Sequence, residues 1–145
     1  MCHPFREGTQ DGITLRIRDN GITCKLSRDL PDYIEAGVGP VIQQFLNKQQ
    51  KTTADIDLWA VHPGGTRIIQ KAQSALGLSD EQVADSWAIL KAYGNMLSVS
   101  ILFVIARMMN RLQDAETKAV TAPITGLGFS FSLGVGIEGV LFEKH

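Results

Sequence analysis

From Ile13 to Ser27 apolar and polar positions alternate (ITLRIRDNGITCKLS), which predicts a β-hairpin. Asn20-Gly21 is the dipeptide that a two-residue type I′ turn prefers, and a turn there sets Leu15 opposite Leu26 and Ile17 opposite Cys24. Leu15, Ile17, Ile22, Cys24 and Leu26 then share one face, and Arg16, Arg18, Thr23 and Lys25 the other. A helix capped by Asp29 is expected from Leu30-Pro31 to about Leu46, interrupted near Gly39-Pro40. After a polar connector, Leu58–Val61 is a short unbroken apolar run, the pattern of a buried strand. His62-Pro63 is held extended, Gly64-Gly65 permits a sharp turn, and Thr66–Leu76 reads as a helix stopped by Gly77.

Ser79 and Gln82 have capping-box spacing, so a second helix should run from Asp80 to about Ala92, closed by Tyr93-Gly94. Asn95 then stands at the cap of a third, Met96 to Leu112, apolar on nearly every side as far as Met109. It is shorter than the roughly twenty residues a bilayer demands, so no membrane span is expected. An all-round apolar helix calls for protein on every side, and a domain of 145 residues has little to cover it with. Ile124 to Phe142 reads as two adjacent strands. Gly134, Gly136 and Gly139 spell G-x-G-x-x-G, but too little chain follows to complete a βαβ unit, so no dinucleotide site is expected.

Length fits one domain, residues 13–145, behind a loose polar segment, residues 1–12. A net charge of −1 with scattered lysines and arginines gives no footprint for nucleic acid. Cys2 and Cys24 make no disulfide framework and no signal peptide is evident, which points to a reducing, cytoplasmic setting. Cys2 and His3 alone do not make a metal site.

His62 is the candidate that chemistry singles out, because ligands of open α/β sheets bind beyond strand ends and a helix N-terminus there favours anions. The competing reading is a core histidine satisfied by a backbone carbonyl. Asn95 alone reads as a helix cap, Arg67 as a phosphate partner or a solvated charge, and Phe131 as pocket wall or core filler.

WAVHPGG, the YGNM turn and the closing GFSFSLGVGIEG, in this order and spacing, resemble the C-terminal half of type III polyketide synthases, the chalcone and stilbene synthase family. The resemblance implies an α/β fold, the C-terminal half of a thiolase-like fold with a mixed sheet packed with helices. It implies an acyltransferase that loads an acyl group from coenzyme A onto a cysteine, decarboxylates malonyl-CoA and joins the fragments by Claisen condensation. His62 and Asn95 match the catalytic histidine and asparagine, and Gly64, Gly65, Thr66 and Arg67 line the expected coenzyme A entrance. Leu15, Cys24, Leu97, Phe131 and Leu133 fall at pocket-shaping positions, and bulk at Leu15 and Leu97 would favour short products. No permanently bound cofactor is implied; malonyl-CoA and acyl-CoA are substrates.

The family's nucleophilic cysteine belongs to an N-terminal half not found in this sequence, and the proline of the usual GFGPG loop is absent from Ser130-Phe131-Ser132-Leu133-Gly134. The expectation is a half-enzyme, inactive alone, completed by an N-terminal half or a full-length synthase within a homo-oligomer. The alternatives are a non-catalytic homologue that binds acyl-CoA or joins a full-length synthase, and an unrelated small α/β binding module.

Overall fold

The computed structural model of the chain describes residues 2–4, 11–116, 123–132 and 136–144. Its frame is a mixed four-stranded sheet. The strands are β1 (Cys2–Pro4), β4 (Leu58–Val61), β5 (Ile124–Ser132) and β6 (Gly136–Lys144), in the order β1-β6-β5-β4. β4 runs parallel to β5, and the other two pairings are antiparallel. Part of the segment expected to be loose is therefore the edge strand β1, Cys2–Pro4.

The continuous apolar run of β4 is explained by burial on both faces. Trp59 and Val61 join one apolar cluster while Leu58 and Ala60 join another on the opposite side. The first cluster is closed by α1 (Leu30–Lys48) and α2 (Thr66–Leu76). Leu30, Ile34, Val38, Ile42 and Leu46, four residues apart, form the buried stripe of α1. On the other side lie Ile89 of α3 (Asp80–Tyr93) and Val104 and Met108 of α4 (Ser100–Glu116).

Helix α1 is not interrupted at Gly39-Pro40. Pro40 lies inside it, and Gly39 faces α2 so closely that a Cβ there would come within 3.3 Å of the Ala75 carbonyl. The glycine permits the helices to approach, and their packing offsets the one backbone hydrogen bond that proline removes. Asp29 holds the N-cap position without a side-chain bond to the helix.

The hairpin forms a separate two-stranded sheet, β2 (Ile13–Arg18) and β3 (Gly21–Leu26), in a register other than expected. Leu15 pairs with Cys24, Ile17 with Ile22 and Ile13 with Leu26, because the reversal falls on Asp19-Asn20 and Gly21, at φ 124°, already belongs to β3. A slip of two residues keeps side chains on their faces. No described helix is long and apolar enough to cross a membrane.

Candidate active site

Strand β4 ends at His62, whose N–H donates to the Phe129 carbonyl (3.1 Å) and so extends the β4–β5 ladder by one residue. The chain then reverses, with the Gly64 N–H donating to the His62 carbonyl (2.9 Å). Two glycines serve different needs. A Cβ on Gly64 would lie 3.0 Å from Cδ2 and 3.3 Å from Nε2 of His62, so the bare backbone is what lets the imidazole rest against the turn. Gly65, at φ 154° and ψ 166°, occupies a region essentially reserved for glycine, and its carbonyl accepts the first amides of α2 from Ile68 and Ile69.

His62 is 8% exposed, and its buried Nδ1 has no partner among the described residues. Burial pushes the imidazole down to about 4, so it is neutral at physiological pH and carries a single N–H.

The second turn is built by the end of α3. Gly94, at φ 70° and ψ −161°, breaks the helix and delivers Asn95. The Asn95 carboxamide reaches across 31 residues of sequence, its Nδ2 donating to the Gly64 carbonyl (3.1 Å). Its Oδ1 accepts the Leu97 N–H (2.9 Å), which holds Leu97 at φ 59°. Asn95 is therefore not the cap of α4. A 3-10 turn over Leu97–Val99 intervenes, α4 starts at Ser100, and the Ser100 hydroxyl accepts the Met96 N–H (2.7 Å).

His62, Gly64 and Asn95 line one cavity of about 690 Å³. Leu15 and Cys24 from the hairpin, Leu97 from the 3-10 turn and Phe131 from β5 line it too. Phe131 is set by an edge contact with Phe129, centroids 5.9 Å apart at 87°. Cys24 is exposed. Gly65, Thr66 and Arg67 are not among the lining residues; Thr66 and Arg67 are exposed on the first turn of α2. Leu133 lies outside the described residues. Sequence reasoning missed Ser98 and Glu138. Glu138 carried a signal, as a carboxylate within the glycine-rich, otherwise apolar stretch GVGIEGVLF.

The model of the C-terminal domain of chalcone and stilbene synthases matches residues 2–144. An alpha-pyrone synthesis polyketide synthase-like protein of Mycobacterium tuberculosis is 47% identical over 137 residues, 94% of this chain and 34% of the relative. Type III polyketide synthase A of Arabidopsis thaliana is 35% identical over 142 residues, 97% of this chain and 35% of the relative. The crystal structure of PKS-I from the brown alga Ectocarpus siliculosus superposes with a TM-score of 0.91 at 51% identity, covering 97% of this chain and 38% of that one. The C-terminal type III polyketide synthase domain of a Dictyostelium type I/III hybrid agrees in fold, with a TM-score of 0.78 at 23% identity over 97% of this chain and 38% of that one. The chain thus spans about a third of the length of the Mycobacterium and Arabidopsis relatives.

Proposed function

Since the chain belongs to the chalcone and stilbene synthase family, as the C-terminal domain of a type III polyketide synthase, we propose that its cavity decarboxylates malonyl-CoA and stabilises the resulting enolate for Claisen condensation. The malonyl thioester oxygen sits between His62 and Asn95. The bond to the carboxylate carbon breaks, carbon dioxide leaves, and the electron pair moves through the α-carbon onto that oxygen. The enolate carbon then attacks an acyl group held as a thioester on a cysteine; a carbon–carbon bond forms and the thiolate departs. That cysteine lies outside these 145 residues, on the same polypeptide or on another.

The hydrogen bond from Asn95 Nδ2 to the Gly64 carbonyl carries this reading. It ties the asparagine turn to the histidine turn, so that two donors address one cavity. A carboxamide has two N–H groups; one is engaged by Gly64, which leaves the other for the oxygen. A neutral, desolvated imidazole supplies the second donor. Preorganised donors aimed at developing charge are worth about 10²- to 10³-fold each in rate. Thr66 and Arg67, exposed at the start of α2 outside the cavity lining, would meet coenzyme A phosphates. Bulk at Leu15 and Leu97 limits the room for extension and favours short products.

Apolar surface on α4 and on the 3-10 turn before it supports the partner reading. Val104 and Met108 are buried, but Leu102 is 62% exposed and Val99 and Phe103 are also open. This apolar face supports packing against the cysteine-bearing portion of a synthase in a homo-oligomer.

The test is to combine the chain with a cysteine-bearing N-terminal portion, add malonyl-CoA and an acyl-CoA, and measure carbon dioxide release. Release that needs both components is expected. Acyl-CoA binding without release from any pairing would overturn the catalytic role and leave a non-catalytic binding protein.

A further inference from the structure

The cavity is chemically divided by the elements that build it. Apart from Cys24, its polar side chains come from the end of β4, the segment after α3 and the β5–β6 pair, as His62, Asn95, Ser98, Ser130, Ser132 and Glu138. The wall supplied by the hairpin and the start of α1 is apolar, with Ile13, Leu15, Leu26 and Leu30, and the Cys24 thiol is the sole polar hairpin side chain lining it. A ligand held by its carbonyl at His62 and Asn95 would place its tail against aliphatic side chains. Ser130 and Glu138 are directly paired across β5 and β6, and both also border a second recess of about 360 Å³. That recess is apolar as well, walled by Ile101 and Val140 over the bare backbone of Gly128 and Gly139. A polar pair thus separates two apolar compartments.

We propose that the Ser130–Glu138 pair is a specificity determinant, a polar sill that confines the straight alkyl chain of an aliphatic acyl thioester to the hairpin compartment and bars it from the recess beside α4. This rests on the reading that the cavity takes acyl thioesters. Glu138 is exposed and hydrated, and an alkyl chain crossing it would strip water from a carboxylate without offering a hydrogen bond in return. The chain turns toward the hairpin, where burial meets no such cost. The length of the hairpin compartment then sets the longest acyl group that gains affinity from its full length.

The experiment is calorimetric titration of the purified chain with a ladder of saturated acyl thioesters of N-acetylcysteamine. For the wild type, affinity rises about fourfold per buried methylene, then levels once the hairpin compartment is filled. Glu138→Leu moves that plateau to longer chains. Val140→Phe, added to Glu138→Leu, refills the recess and restores the original plateau. Both positions are exposed, so circular dichroism should show folded variants. An identical plateau in the wild type and Glu138→Leu, or no rise with chain length at all, would overturn the proposal. Absence of carbon dioxide release from the assembled wild-type enzyme, with the Glu138→Leu shift still present, would count against the catalytic reading alone, so failure of that reading and failure of the sill are read separately.

Discussion

His62 is where one residue's environment decides what it can do. Its folded value of about 4 lies below the ordinary 6.5 because burial disfavours the imidazolium. Between those values the unfolded chain binds more protons than the folded one, so this contribution is complete above pH 6.5 and is lost as pH falls toward 4. The full swing is about 3 kcal/mol. Urea unfolding across that window should show His62→Gln losing this part of the pH dependence; parallel wild-type and variant curves would contradict it. Gly64→Ala tests the neighbouring contact. Its Cβ would press on the imidazole ring while the backbone stays unstrained, so decarboxylation by the assembled enzyme should fall about 10²-fold with little change in Tm. The sequence already marked His62 at the strand end, because a proline and two glycines leave few alternatives for the backbone. Asn95 was visible as a turn residue, but its bond to Gly64 joins positions no local pattern connects.

Elements were most legible where local chemistry and tertiary packing agree. Helix α2 has the expected limits because Gly65 and Gly77 punctuate it, the latter in the left-handed region at φ 64°. The capping box of α3 is present, with the Ser79 hydroxyl accepting the Gln82 N–H (3.3 Å) and the Gln82 side chain accepting the Ser79 N–H (2.9 Å). Ser79→Ala should cost about 1 kcal/mol, read by chemical denaturation. The misread elements are those where distant contacts win. Helix packing carries α1 through Pro40, and the Asn95 bonds postpone α4 to Ser100. One junction between helices had no local signature. Asp85 of α3, almost fully buried, accepts from Arg107 Nε (3.1 Å) and Arg111 Nη2 (2.9 Å) of α4. Both arginines are more than half exposed and can rehydrate, so Asp85→Ala should cost only about 1–2 kcal/mol. A larger loss would mean that this carboxylate also orders the turn between the two helices.

At the scale of the whole molecule, the sheet, its two apolar clusters and the cavity form one frame, and the outer face of α4 leaves Leu102 and Phe103 exposed. The all-round apolar pattern of that helix announced a covering surface, while the sequence alone could not say which face would stay open. The structure resolves this by element, with Met108 and Val104 turned to the sheet and Leu102 and Phe103 turned away. Leu102→Glu should therefore leave the fold intact, reduce self-association of the isolated chain, and impair recovery of activity with a cysteine-bearing portion. Sedimentation and the carbon dioxide assay check the two effects. The most direct measurement for the central claim is a double-mutant cycle on malonyl-CoA decarboxylation by the assembled enzyme. His62→Ala and Asn95→Ala should each lower the rate about 10²- to 10³-fold, and the double variant should fall by less than the product of the two, because both donors serve one oxygen. A wild-type rate in either single variant would contradict the account.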